Sequence, residues 1–182
     1  MLPEEKASGP HSAQTRWKLC IMRHGAAVTR ETEGYSDDSK RPLTPDGKRK
    51  MQGIAKGLRR LGFVADWIVS SPLVRAVETA EIVAESVGSD VALDFSNALS
   101  PGGSPEALLG FLGKHADRKR VLVVGHEPDL SELAARLIGA GRRANLAFKK
   151  GGCCLIRFDE FPPRSPGRLL WWLTPRALRK MA

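Results

Sequence analysis

The sequence has few cysteines, few aromatic residues and no long hydrophobic run, and each scarcity excludes a class of protein. Three cysteines, of which Cys153 and Cys154 are neighbours, supply neither a disulfide framework nor a C-x-x-C metal pair. We therefore expect reduced thiols in the core. The longest apolar runs, such as 19–22 and 169–173, are far shorter than the ~20 residues that cross a bilayer, so no transmembrane helix is expected.

What is present fits an ordinary globular protein. The chain has 182 residues, of which 42% are hydrophobic and 27% are charged, a composition that can bury a core. Residues 1–16 are polar, contain proline and lack an apolar segment of the kind that directs secretion. We expect a flexible tail at 1–16, a single domain over 17–182 and a cytoplasmic location.

The chain is strongly basic, because 29 Lys and Arg against 20 Asp and Glu give a net charge of +9. Such a surface attracts anions, which include acidic proteins, phosphorylated ligands and nucleic acid. The cations cluster in two regions: Lys40, Arg41, Lys48, Arg49, Lys50, Lys56, Arg59 and Arg60, then Arg142, Arg143, Lys149 and Lys150. They indicate either solvated surface or docking to an acidic partner. A nucleic-acid-binding module ranks lower, because aromatic residues make up 6% and no recognised nucleic-acid-binding motif is present.

Short apolar runs alternate with amphipathic segments along the chain. The runs predict strands at 18–22, 66–70, 91–95, 120–124, 153–158 and 168–173. The alternation predicts an α/β fold, a three-layer α/β/α arrangement with a mainly parallel sheet. The last two strands follow one another through a proline-rich turn, which favours an antiparallel pair at an edge of the sheet.

Helix starts are marked by a capping residue followed by proline. Thr44, Ser71, Ser104 and Thr174 each precede a proline, so we expect each to cap a helix whose first residue is that proline. Pro128 likewise suits the opening turn of a helix that continues to about residue 138.

Two of the four histidines occupy a special position in this pattern. His24 and His126 each follow a predicted strand directly, and each has a glycine beside it. Parallel sheets place their ligand sites at the carboxyl ends of their strands. Arg23 lies beside the first histidine, and Arg75 lies in the first turn of the helix after another strand. These four side chains are predicted to meet at one edge of the sheet.

At this point the sequence resembles a known family. The segments Arg23-His24-Gly25, 71–80 (SPLVRAVETA) and 124–128 (VGHEP) are similar to the three motifs of the histidine phosphatase superfamily, and they occur in the same order. The likeness covers nearly everything from Trp17 onward and implies a phosphoglycerate mutase-like fold. The short chain, 41–47 (RPLTPDG) and 99–102 (LSPG) resemble the small SixA-type branch, which includes protein phosphohistidine phosphatases.

The resemblance implies hydrolysis of a phosphate monoester or phosphoramidate without a metal or cofactor, and the residue chemistry agrees. A neutral imidazole at His24 can accept a phosphoryl group as a covalent intermediate. Arg23 and Arg75 supply guanidinium forks that suit phosphate oxygens. His126 would add a donor once protonated. Arg41 either reaches this pocket or the substrate, or is a solvated surface cation.

No residue is clearly identified as the proton donor for the leaving group. Glu106, Asp94, Asp90 and solvent all remain candidates. A leaving imidazole nitrogen can be protonated by water, so the missing acid favours a phosphohistidine substrate, carried by an acidic protein, over an alkyl phosphate. The alternative is a small-molecule phosphomonoesterase of the same superfamily.

Overall fold

A computed structural model describes residues 16–88, 91–141 and 144–182, and its strands form one six-stranded sheet. The strands are β1 (Trp17–Arg23), β2 (Trp67–Ser70), β3 (Ala92–Phe95), β4 (Arg120–Gly125), β5 (Cys153–Phe158) and β6 (Arg168–Leu173). The α-helices are α1 (Pro45–Arg60), α2 (Val74–Val87), α3 (Pro105–Gly113), α4 (Asp129–Leu137) and α5 (Pro175–Lys180). Two short 3-10 helices occupy Asp38–Lys40 and Asn97–Leu99.

The sheet has the order β3-β2-β4-β1-β5-β6. β3, β2, β4 and β1 are parallel to one another, whereas β5 is antiparallel to both β1 and β6. This confirms the predicted α/β class, the mainly parallel sheet and the antiparallel pair at one edge. The strand that runs against the others is β5, one position in from the edge.

Both faces of the sheet are covered, which explains why the central strands are continuously apolar. Cys20 and Met22 of β1 pack in a core with α1, α2 and α5, while Leu19 and Ile21 pack in a second core with α3 and α4. The three cysteines are free and buried, as predicted.

Most of the predicted helix starts are confirmed. Thr44, Ser104 and Thr174 each accept a hydrogen bond from a backbone N–H three residues later, and a proline follows each of them. The prediction for Ser71 is wrong, because α2 begins at Val74 after an N-cap, Leu73, that has no side-chain cap bond. The Ser71 hydroxyl is used elsewhere, as described below.

Two further predictions have different outcomes. α4 begins at Asp129 with Pro128 as its N-cap, one residue later than expected, a usual uncertainty at helix ends.

The predicted flexible tail lies outside the described residues apart from Arg16, and the single domain over 17–182 stays a prediction. No helix within the described ranges has the length and apolar character needed to cross a membrane.

Candidate active site

The carboxyl ends of three neighbouring strands bring the predicted residues to one edge of the sheet. Arg23 of β1 is in register with Gly125 of β4, and the next residue, His24, donates its backbone N–H to the Gly125 carbonyl at 3.1 Å. The backbone N–H of Ser71, directly after β2, bonds to Val124 O at 2.9 Å. The sheet therefore aligns the first residues of three separate loops.

Two imidazoles face each other across a guanidinium group. The rings of His24 and His126 have centroids 5.0 Å apart. Arg75 Nε lies 3.3 Å from His24 Nε2, and Arg75 Nη2 lies 3.4 Å from His126 Nδ1. All three side chains are buried, with 7% or less of each residue exposed. The groups that would bind charge are thus shielded from bulk water. Electrostatic interactions are stronger in such a low-dielectric environment.

The hydrogen bonds define the protonation pattern of both rings. His24 Nδ1 lies 2.7 Å from the carbonyl of Gly25, and because a carbonyl can only accept, Nδ1 carries the proton. The lone pair of His24 is therefore on Nε2, which faces Arg75. His126 accepts from Arg75 at Nδ1, so in its neutral form it donates from Nε2 to the Ser71 hydroxyl at 2.9 Å.

Arg23 is held by backbone and keeps one buried donor without a partner. Its Nη1 donates to Phe148 O at 2.7 Å, while its Nε is buried and makes no hydrogen bond to the described residues. Glu127 fixes this arrangement, because it accepts from Phe148 N at 3.2 Å and from the Ser131 hydroxyl. A buried unpaired donor is costly, and the charge of Arg23 is close enough to both imidazoles to lower their pKa values.

A single hydroxyl connects the loop after β1 to α2. Thr79, which is fully buried, accepts from the backbone N–H of Gly25 at 3.0 Å and donates to Arg75 O at 2.6 Å. The backbone segments that carry His24 and Arg75 are thereby tied to each other.

Arg41 joins the edge of this network through a shared carboxylate. Its side chain is 14% exposed. It donates two hydrogen bonds to Asp38 Oδ1 and one to Val28 O. Asp38 in turn accepts from Arg75. Arg41 is therefore not a freely solvated cation, although it makes no hydrogen bond to either imidazole.

Burial controls the ionisation of the site. Desolvation, with smaller contributions from the neighbouring arginines, lowers the pKa of His24 to about 3 and that of His126 to about 4. Burial would raise the pKa of Asp38, but hydrogen bonds from Arg41, Arg30 and Arg75 hold it well below its usual range. At neutral pH both imidazoles are therefore neutral, and Asp38 is ionised.

These low imidazole pKa values predict how stability depends on pH. An unfolded histidine titrates near ~6.5, so the folded protein binds fewer protons than the unfolded chain below that pH. Stability from the two buried rings is fully present above about pH 6.5 and is lost as the pH falls toward 4. From about pH 7 to about pH 4.5 we expect a loss of roughly 2–3 kcal/mol for each ring.

Urea unfolding at these two pH values measures the effect. The His126→Gln variant has one titrating ring fewer and should show a smaller loss than the wild type. Equal losses in the two proteins would contradict the assignment.

The acidic residues considered as proton donors are engaged elsewhere. Glu106 is exposed and binds Arg136 and Ser104. These hydrogen bonds, mainly the one from Arg136, lower the pKa of Glu106 to about 2. Asp94 accepts from Trp67 Nε1 at 2.7 Å. Asp90 lies outside the described residues. Within those residues, no three His, Cys, Asp or Glu side chains are grouped as metal ligands.

Sequence reasoning missed several residues that build the site. Ser71, Thr79 and Glu127 stand inside the three motifs, but Ser71 was predicted to cap a helix and no role was predicted for Thr79 or Glu127. Asp38 stands beside Asp37 in a polar loop, and nothing in one sequence separates the two. One signal could have identified the motif residues: they are polar, and they lie close in sequence to a candidate catalytic residue.

Comparison with known proteins assigns the family. Residues 19–99 match the family model of the histidine phosphatase superfamily (branch 1). An uncharacterized protein of Picosynechococcus is 35% identical over 142 residues, which are 77% of this chain and 84% of that protein. The chain belongs to the histidine phosphatase superfamily.

Other similarities differ in how much they cover. A probable phosphoglycerate mutase, GpmB, of Salmonella typhi is 36% identical over 81 residues, and these span 35% of that protein. The solved structure of the protein histidine phosphatase SixA complexed with tungstate superimposes with a TM-score of 0.76 and 25% identity. That alignment covers 88% of this chain and 99% of the SixA chain. The architecture is thus shared with SixA over nearly its whole length.

Proposed function

We propose that the protein is a metal-independent phosphatase that forms a phosphohistidine intermediate on His24 and hydrolyses phosphohistidine on a protein. One arrangement carries this proposal: the unprotonated Nε2 of His24 faces Arg75 and His126 in a buried cluster. The unpaired Nε of Arg23 belongs to a side chain whose charge lowers the pKa of both imidazoles. A tetrahedral dianion bound at this cluster would have a nucleophile and donors around it.

The reaction follows in two steps. His24 Nε2 attacks phosphorus, a new N–P bond forms, and the bond from phosphorus to the substrate nitrogen breaks. The leaving nitrogen keeps the bonding pair and takes a proton from water, which leaves hydroxide. A water molecule then attacks phosphorus on His24, the N–P bond breaks with its electron pair returning to Nε2, and the proton lost by the attacking water neutralises the hydroxide. Inorganic phosphate and the neutral ring result. Gly25 O holds the ring orientation throughout by accepting from Nδ1.

The other residues stabilise charge. Arg23 and Arg75 donate to the equatorial oxygens, where negative charge is spread in the transition state. His126 has a low pKa in the free site, and the arriving dianion raises it, so that a protonated ring adds a donor. Arg41 acts indirectly, because it binds the Asp38 carboxylate, which in turn binds Arg75.

Two observations favour phosphohistidine over an alkyl phosphate. Neither Glu106 nor Asp94 is free to protonate a leaving oxygen, and an imidazole leaving group does not depend on such an acid. The fold similarity to SixA, named a protein histidine phosphatase, supports the same class.

The partner is expected to carry an acidic surface. The basic face is the set of cations on α1 and α5: Arg49, Lys50, Lys56, Arg59, Arg60, Arg176, Arg179 and Lys180. The two helices pack closely, since a Cβ on Gly57 would lie 2.1 Å from Leu178 O. α1 starts next to the site, because Thr44 N bonds to Ala26 O. An acidic protein could therefore cover both the pocket and this face.

A substrate comparison tests the proposal. We expect kcat/KM for a phosphohistidine protein to exceed that for sugar phosphates by at least about 100-fold, because a leaving imidazole nitrogen depends less on a carboxylic acid donor than a leaving sugar alkoxide does. EDTA is present throughout, and turnover is expected to be unaffected. Raising the salt concentration should lower kcat/KM for the protein substrate more than for a phosphohistidine peptide.

Two outcomes would contradict parts of this proposal. A preference for sugar phosphates would support the alternative, a small-molecule phosphomonoesterase of the same superfamily. A requirement for an added divalent ion would contradict the metal-independent mechanism. The Lys56→Glu/Arg59→Glu double variant, changed only on the basic face, should lose activity on the protein and keep it on the peptide.

A further inference from the structure

One carboxylate outside the quoted motifs is bound by three guanidinium groups. Asp38 Oδ1 accepts from Arg41 Nη2 at 2.6 Å and from Arg30 Nε at 2.7 Å, and Asp38 Oδ2 accepts from Arg75 Nη2 at 2.9 Å. The 30%-exposed side chain of Asp38 stands between the 4%-exposed side chain of Arg75 and the surface. Asp38 therefore connects the loop after β1 to the buried site.

Asp38 accepts hydrogen bonds from both terminal nitrogens of the Arg75 guanidinium group. Besides the side-chain bond, the Asp38 backbone carbonyl accepts from Arg75 Nη1 at 2.7 Å. The adjoining edge of the same group, formed by Nε and Nη2, faces His24 Nε2 and His126 Nδ1. The plane and direction of Arg75 are thus set by Asp38 on one edge and by the two imidazoles on the next.

The carboxylate also changes the charge that an incoming anion meets. Both imidazoles are neutral at neutral pH, so the charged groups in contact within this network are the arginines and Asp38. Burial lowers the pKa of Arg75, Asp38 acts to raise it, and Arg41 and Arg30 act to lower it. A carboxylate that close to Arg75 repels a phosphate dianion through a low-dielectric site, where one charge has a large effect.

We propose that Asp38 is a positioning residue that orients Arg75 and limits the affinity of the site for inorganic phosphate, so that the product leaves. The orienting role uses both the backbone carbonyl and the carboxylate, whereas the limit on affinity comes from the carboxylate charge alone. This inference rests on the proposed function only in naming phosphate as the product.

The sign of one measurement separates this role from a purely structural one. Asp38→Asn keeps the size of the side chain and the backbone carbonyl but removes the charge. We expect its Kd for inorganic phosphate, measured by calorimetry, to fall about tenfold. The Ki of phosphate against a small phosphomonoester should fall in parallel, and kcat should fall more than kcat/KM because release is slower.

Matched variants complete the test. Asp38→Glu keeps the charge and should bind phosphate within about twofold of wild type. Asp37→Asn removes the charge of the neighbouring residue. The Asp37 side chain accepts from Ser39 N at the start of the 3-10 helix and binds none of Arg30, Arg41 and Arg75. This variant should also bind phosphate like wild type. Asp38→Ser supplies a second neutral variant in case Asn folds poorly.

Phosphate binding that is weaker or unchanged in both neutral variants would overturn the inference, because a residue that merely supports Arg75 predicts weaker binding. Calorimetry requires no turnover. If phosphohistidine is not hydrolysed but the neutral variants still bind phosphate more tightly, the proposed substrate fails and the role of Asp38 stands.

Discussion

Replacement of His24 by alanine is expected to abolish turnover and the covalent phosphoenzyme together. The Nε2 lone pair of His24 faces Arg75, and its orientation is fixed by the bond from Nδ1 to Gly25 O. No described group occupies the same position, since His126 uses its two nitrogens on Arg75 and Ser71. We expect kcat to fall by at least about 10³-fold, as happens when a nucleophile is removed.

The phosphoenzyme is the direct readout. A radiolabelled phosphoryl donor, quenched during turnover, should leave a label that is stable to base and labile to acid, and peptide mapping should place it on His24. His115→Gln is the matched control, because His115 is exposed and packs beside Trp67 and Phe111, away from the site. That variant should keep the label. A label on Ser, Cys or Asp would refute the mechanism.

Replacement of Arg75 by lysine is expected to reduce kcat/KM by about 10²- to 10³-fold, although the positive charge is retained. Arg75 contacts His24 through Nε, both His126 and the Asp38 carboxylate through Nη2, and the Asp38 backbone carbonyl through Nη1. An ammonium group cannot reproduce this planar fork. It would leave at least one imidazole lone pair and one phosphate oxygen without a donor.

A second arginine serves as the control for Arg75. Arg30→Lys changes the same residue type on the same carboxylate, but the Arg30 side chain is 73% exposed. We expect its kcat/KM to stay within about threefold of wild type. An Arg75→Lys variant with near-wild-type kcat/KM would show that charge alone, and not the fork, stabilises the transition state.

The sequence pattern predicted the parts of the molecule that depend on local chemistry. Continuous apolar runs such as 120–124 predicted buried parallel strands, because both faces of the sheet are covered. Thr44 and Ser104 predicted helix starts, because a cap and a proline act within one turn. The place where His24 and His126 meet followed from the rule for strand ends.

What could not be predicted depends on contacts between distant segments. Arg23 binds the carbonyl of Phe148, a residue 125 positions away, and no local pattern announces that bond. Ser71 has the sequence of a helix cap, but the hydroxyl is shared between Leu73 N and His126 Nε2. Ser71 therefore does not cap α2, because its hydroxyl binds His126, a residue that is distant in the sequence.

The deep placement of His24 has a consequence for a cell under acid stress. Its ring stays unprotonated over the whole range from about pH 5 to about pH 8, so acidification within that range leaves the nucleophile ready. The second ionisation of a phosphoryl group, near ~6, falls inside the same range. A slowing on mild acidification that exceeds the loss of folded protein is therefore expected to report the charge of the phosphorylated substrate and not the protonation of His24, the proposed nucleophile.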